Sequence, residues 1–181
     1  MKRPSAVIAI DGRCCAGKSS FALWLASLLP KDACNIFKID DFFAPRPRSS
    51  ARKAACPPNG KIGGNIYVKR FQKEVLKPLC ARKAVLYKPY NCRSGKFGKA
   101  RKMEYREVNI IEGSYSMLEA FLPNYDLRIF MTTTPASQHK RLAKRESKEK
   151  IKQFEKLWIP LEEKYFKEKK VCALADVIIK T

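Results

Sequence analysis

Four residues raise the first chemical question. Gly12, Gly17, Lys18 and Ser19 stand at the spacing G-x-x-x-x-G-K-[ST] within GRCCAGKSS, residues 12–20. That spacing is the signature of a phosphate-binding loop. Successive backbone N–H groups and the start of a helix point at phosphate oxygens, and the glycines let the backbone curl closely around the anion. Lys18 then neutralises the β- and γ-phosphates, and the Ser19 hydroxyl ligates Mg²⁺. The whole stretch Gly12, Arg13, Cys14, Cys15, Ala16, Gly17, Lys18, Ser19 and Ser20 is therefore expected around a nucleotide. Two adjacent cysteines inside such a loop are unusual chemistry. The chain has seven cysteines, no C-x-x-C pair and one histidine, His139, so zinc spacing is absent and mostly reduced thiols are expected. Cys14 and Cys15 occupy variable positions of the loop and read first as small fillers. A thiol beside Lys18 near a helix N-terminus is also expected to have a lowered pKa.

Three further groups suit phosphoryl transfer. Asp40 ends the segment CNIFKID, residues 34–40, where a carboxylate can take the proton of an attacking hydroxyl. Asp41 reads instead as a helix N-cap or a loop carboxylate bonded to backbone. Glu112 ends VNIIE, residues 108–112, and a carboxylate there holds Mg²⁺ directly or through water. Arg141 and Arg145 are four apart, so they share one helix face and can clamp the transferring phosphate.

The elements that must position these groups are legible. AVIAI, residues 6–10, is a continuous apolar run, as in a strand buried on both faces. SSFALWLASLL has apolar residues at helical spacing and is stopped by Pro30. CNIFKID, VNIIEG, LRIFMTT and ADVIIK read as further strands, and YVKRFQKEVLKPL, 67–79, as an amphipathic helix. Residues 44–64, with four prolines and three glycines, read as a long loop. Two extended segments around Arg93-Ser94-Gly95 read as a hairpin, and 135–170 is helical in character with a break or kink at Pro160. Strands alternating with helices predict a three-layer α/β domain with a mainly parallel sheet.

The chain has 181 residues, enough for one domain, and a net charge of +21. The charge sits in two segments. Residues 44–106 hold 18 Lys or Arg against Glu74 and Glu104, and residues 139–170 hold 12 against 6 acids. Such a balance implies anionic partners, nucleic acid or a phosphorylated small molecule, against a background of solvated lysines. No apolar run approaches the roughly 18–20 residues that cross a bilayer. The run Ala6 to Ile10 is cut short by Asp11, so a signal peptide is rejected and a cytoplasmic protein without a membrane partner is expected.

These motifs together resemble the uridine kinase family, within the wider uridine kinase and phosphoribulokinase group of phosphate-loop kinases. The resemblance rests on AIDGRCCAGKSS, KIDDFF, GGNIYVKRFQKEVLKPL, YKPYNCRSG, IIEGSYS, DLRIF, KRLAKRE, WIPLEEKYF and ADVII, and it covers nearly the whole chain. It implies a phosphate-loop NTPase fold with a hairpin and a basic helical lid inserted, spanning 1–181 as one kinase domain. Residues 44–106 would form the acceptor side and 135–170 the lid. It implies transfer from ATP or GTP, with Mg²⁺, to a nucleoside 5′-hydroxyl such as that of uridine or cytidine. Under the resemblance Asp40 is the catalytic carboxylate, Glu112 the magnesium-associated acid, and Arg141 and Arg145 lid arginines. Tyr90 would lie near the nucleobase, and Phe42 and Phe43 would line the acceptor pocket. Relatives of this type often carry Asp where this chain has Tyr67, which removes a charged partner for ribose hydroxyls; Asn65 is the substitute in reach. Other readings stay open: a nucleic-acid-binding ATPase or polynucleotide kinase, a kinase for a phosphorylated or non-nucleoside metabolite, and a regulatory nucleotide binder. The oligomeric state is also open.

Overall fold

The computed structural model describes residues 5–45, 61–92 and 94–181. Arg46, Arg48, Arg52, Lys53 and Arg93, and most of the loop expected over 44–64, lie outside them. Along the chain, strand β1 (Ala6–Gly12) leads through the glycine loop into helix α1 (Lys18–Ser27). Then come β2 (Cys34–Lys38) and a 3₁₀ turn, Ile39–Phe42. A continuous helical segment follows: α2 (Val68–Phe71), a π-helical turn Gln72–Leu76, and α3 (Lys77–Cys80). Four short strands make up the hairpin region: β3 (Val85–Tyr87), β4 (Tyr90–Asn91), β5 (Lys96–Phe97) and β6 (Arg101–Met103). The second half contains β7 (Val108–Glu112), β8 (Leu127–Thr132), α4 (Pro135–Arg145) and α5 (Lys148–Gln153). It ends with a π-helical turn Phe154–Trp158, α6 (Ile159–Glu168), α7 (Val171–Leu174) and β9 (Val177–Lys180).

Five strands form a parallel sheet in the order β2-β7-β1-β8-β9. Both faces are covered, which is why its inner strands read as unbroken apolar runs. Ile8, Ile10, Ile110, Ile129 and Met131 face α1, while Ala9, Phe37, Ile111 and Phe130 face the 68–80 helix, Tyr165 and Phe166. The predicted hairpin is present as two small antiparallel ladders, β3 with β6 and β4 with β5. The helix expected over 67–79 runs one residue later at each end, and the 135–170 region divides at Glu146–Ser147, while the helical run continues through Pro160, preceded by the π-helical turn Phe154–Trp158.

Register delivers the functional groups. Lys38 of β2 and Ile10 of β1 both pair with Glu112 of β7, so the ends of three adjacent strands converge on one edge. The glycine loop, Asp40 and Glu112 all leave the sheet there. In parallel sheets this carboxyl edge, where strand order reverses, is where ligands bind. Gly12 belongs to this packing as much as to the loop. Its φ is 137°, and a Cβ there would stand 1.9 Å from the Met131 carbonyl oxygen of β8.

Candidate active site

The glycine loop is held from two sides by elements distant in sequence. Asp11, fully buried, anchors its start. The carboxylate accepts from the N–H groups of Gly12 (2.7 Å), Tyr115 (3.2 Å) and Met117 (2.8 Å) and from the Tyr165 hydroxyl (2.8 Å). It thereby ties the loop to the segment after β7 and to α6. From the other side α4 closes down. Thr134 caps α4, accepting from Ser137 N–H, with Pro135 at the first turn. Gln138, Arg141 and Arg145 project from one face of the helix. Gln138 Nε2 donates to the Cys14 carbonyl at 3.0 Å, Arg141 Nη1 to the Cys15 carbonyl at 3.1 Å, and Arg145 Nη2 meets the Cys14 sulfur at 3.4 Å. The shared face read from sequence for Arg141 and Arg145 is present, and Gln138 extends it by one helical step.

Lys18 lies along the loop. Its Nζ donates to Gly12 O (2.7 Å), Arg13 O (2.9 Å) and Ser114 Oγ (3.3 Å). Ser19 Oγ lies 3.1 Å from both carboxylate oxygens of Glu112, to which it donates. A hydroxyl and a carboxylate side by side are hard oxygen donors, and Mg²⁺ is commonly held by one or two such protein groups plus phosphate oxygens and water. The pair therefore fits the metal. Burial pushes the Glu112 carboxyl up, and the Asp40 charge adds to this, while the Ser19 hydrogen bond opposes it.

Asp40 sits in the 3₁₀ turn after β2, between Ile39 and Phe42, which are both fully buried and fix the turn. Its side chain is open to solvent yet crowded by the walls of the cleft. Lost hydration pushes its carboxyl above the ordinary range, with Lys18 opposing and Asp41 reinforcing. Among the described residues no hydrogen-bond donor reaches this carboxylate. Asp41, in contrast, accepts from Tyr87 OH (3.1 Å) and Arg101 Nη1 (3.0 Å), so its partners are side chains of the hairpin region rather than the backbone groups expected for it.

The cleft has a volume of about 590 Å³ and brings together Lys18, Ser19, Ser20, Asp40, Phe43, Asn65, Glu112, Arg141 and Arg145. Its far wall carries Gln153, Phe154 and Trp158 from the helical region. The Arg145 guanidinium stacks on the Phe154 ring, 5.6 Å from its centroid. Asn65 is 7% exposed, and its side-chain amide oxygen and nitrogen find no partner among the described residues. A second cavity of about 540 Å³ opens on Asp40 and is lined by Tyr90, Lys99 and Arg101.

Two expectations need correction. Phe42 does not line the cleft; it is a core residue, packed on Phe71 and Tyr87, because the 3₁₀ turn directs Phe43 outward and Phe42 inward. Tyr90 borders the second cavity, on which Asp40 and Phe43 also open. The Arg13 side chain turns away from the site to pair with Glu163 and donate to Thr132 Oγ1. Within the loop, Ala16 N–H is spent on Arg13 O, so it is an internal strut. Residues not anticipated from sequence are Asp11, Ser114, Gln138 and Glu162. A lone Asp closing an apolar strand and a Gln three before Arg141 were the available signals.

The two cysteines differ sharply. Their sulfurs are 3.7 Å apart. The hydrogen bond from Cys14, with Arg145 and Lys18 adding, pulls the Cys15 thiol down to about 6. Cys14 is pushed up by that same bond and by burial. The expected lowered thiol is thus Cys15 alone. Cys14, Cys15, Cys34, Cys80 and Cys172 are free, and Cys92 is disulfide-bonded. Among the described residues no helix is long and apolar enough to cross a membrane.

No family model matches the chain, and no curated protein matches it. Solved structures do. One, described as a possible uridine kinase from Bacillus stearothermophilus, has a TM-score of 0.71 at 16% identity, covering 99% of this chain and 90% of that one. Another, provisionally described as a fructose transport system kinase from Silicibacter sp., has a TM-score of 0.65 at 17% identity, covering 98% and 90%. At these identities the likeness is one of fold, and the fold of this chain is that of the phosphate-loop kinases.

Proposed function

We infer that the protein is a kinase that moves the γ-phosphate of ATP or GTP to a hydroxyl of a small molecule, in the first instance the 5′-hydroxyl of a nucleoside such as uridine or cytidine. The observation that carries this reading is Asp40. Among the described residues no donor reaches this carboxylate, and it lines the same cleft as the phosphate loop. A phosphate binder with no acceptor chemistry has no use for such a group. In the reaction the amides opening α1 and the Lys18 ammonium receive the phosphates, and Arg141 and Arg145 face the charge that spreads over the transferring oxygens. Ser19 and Glu112 would hold Mg²⁺, which neutralises the β- and γ-phosphates when bound. Asp40 orients the acceptor hydroxyl and takes its proton. Asn65 offers the acceptor one donor and one acceptor, and pairing would relieve a buried amide that otherwise costs about 1–3 kcal/mol.

The test is ADP release with Mg²⁺ and a panel of uridine, cytidine, other nucleosides, a nucleoside monophosphate and phosphorylated sugars. Turnover of a nucleoside is expected, and its absence across the panel would reject the nucleoside reading. A second reading, an acceptor carrying its own phosphate, is favoured by Lys99 and Arg101 on the cavity that opens on Asp40. It predicts that the phosphorylated members of the panel are turned over in preference.

A further inference from the structure

One carboxylate at the site has no part in the scheme above. Glu162, on α6, is 6% exposed and lines the cleft. Its Oε2 accepts from the Cys14 N–H at 2.9 Å and its Oε1 from the Ser114 hydroxyl at 2.6 Å. Ser114 Oγ in turn accepts from Lys18 Nζ at 3.3 Å. Ammonium, hydroxyl and carboxylate thus form one chain, running from the phosphate-binding lysine to a helix 144 residues away in sequence. The neighbours of Glu162 on α6 point the same way: Glu163 pairs with Arg13, and the Tyr165 hydroxyl donates to Asp11. A single helix grips the ascending limb of the loop at Asp11, Arg13 and Cys14.

Apolar packing already docks α6, through Leu161, Tyr165 and Phe166. A buried carboxylate adds a desolvation cost that an apolar residue at the same place would not. Burial duly pushes the Glu162 carboxyl up, against the opposing effects of Lys18 and its own hydrogen bonds. What the charge provides is placement. Lys18 has three donors and all three are met by protein, the contact with Ser114 being the longest. That contact is the one to be exchanged for a phosphate oxygen. With its proton committed to Glu162, Ser114 presents only lone pairs to Lys18, and the ammonium waits beside the phosphate position.

We propose that Glu162 is a positioning residue for phosphate transfer. Its carboxylate fixes the Cys14 peptide and the Ser114 hydroxyl, and through them the approach of Lys18 to the nucleotide. The proposal deepens the kinase reading and rests on it for turnover, though not for nucleotide binding. Glu162→Ala strands a buried N–H and frees the hydroxyl. Glu162→Gln keeps an acceptor for Cys14 and a partner for Ser114.

The experiment measures Mg·ATP dissociation constants by calorimetry and, for the preferred acceptor, kcat and both KM values. Wild type, E162A, E162Q and Ser114→Ala are compared, with thermal melts as a folding control. In E162A the Mg·ATP dissociation constant should rise about 10- to 100-fold, as expected for one stranded buried donor. The acceptor KM should stay unchanged. E162Q should restore Mg·ATP binding to within about threefold of wild type, and Ser114→Ala should weaken it in the direction of E162A. Wild-type affinity in E162A, or E162Q binding no better than E162A, would overturn the proposal. If E162A does not fold, the E162Q and Ser114→Ala pair decides: unchanged binding in Ser114→Ala overturns it. A wild-type chain that binds Mg·ATP but transfers to no acceptor defeats the kinase reading and leaves these binding comparisons to decide on Glu162. A chain that binds no Mg·ATP defeats both.

Discussion

Asp40→Asn isolates the chemistry from the binding. The substitution preserves shape in a turn held by the buried side chains of Ile39 and Phe42, so the backbone has no reason to move. It removes a group that can accept a proton. A positioned general base contributes about 10²- to 10⁴-fold, or roughly 3–5 kcal/mol of barrier. The structure argues for the full range because, among the described residues, the other carboxylates of the cleft already have partners. Glu112 is bonded by Ser19, Glu146 pairs with Lys150 and Arg145, and Glu162 is bonded by Cys14 and Ser114. Mg·ATP binding should survive, since Lys18, Ser19 and Glu112 are untouched. Removing the Asp40 charge also relieves one influence that pushes the Glu112 carboxyl up. The sign of the pH dependence follows from the raised Asp40 carboxyl. The base works only when ionised, so wild-type activity should rise with pH through a midpoint above the ordinary aspartate value of about 3.9, and fall on acidification. The assay is ADP release at saturating Mg·ATP and acceptor, beside calorimetric Mg·ATP binding. A variant retaining kcat within tenfold of wild type would refute the assignment of the base. A variant losing Mg·ATP affinity as steeply as turnover would refute the separation of roles.

Two further outcomes test the frame around the site. Gly12→Ala places a methyl 1.9 Å from the Met131 carbonyl of the adjoining central strand, so urea unfolding should show a loss of more than about 4 kcal/mol or no folded protein at all; a wild-type midpoint would contradict the packing. Cys15 should be carboxamidomethylated with a half-maximal rate near pH 6, Cys14 should lag far behind, and Mg·ATP should slow both. A Cys15 profile centred near an ordinary thiol value of about 8.5 would contradict the hydrogen bond from Cys14.

Local chemistry makes much of this molecule legible from its sequence. The phosphate loop, the buried strands and the shared face of Arg141 and Arg145 follow from backbone freedom and residue periodicity, which operate over a few neighbouring positions. For the same reason Asp40 and Glu112 could be found as acids at strand ends. Which of two adjacent side chains turns into the cleft was beyond that range. Phe42 and Phe43 are equally aromatic, and only the 3₁₀ turn against Phe71 and Tyr87 sends the first into the core. The roles of Cys14 and Cys15 likewise separate only when Arg145 and Lys18 are placed around them. Asp11, Ser114 and Glu162 act through partners up to 154 residues apart, and spacing carries no record of such contacts. The sequence by itself determined that a phosphate could be bound at Gly12–Ser19, because a loop's amides answer to local geometry. Tertiary structure alone decided what holds that loop, where its lysine rests and which carboxylate is left open to an acceptor, because each depends on groups that meet only when the sheet edge closes under α4 and α6.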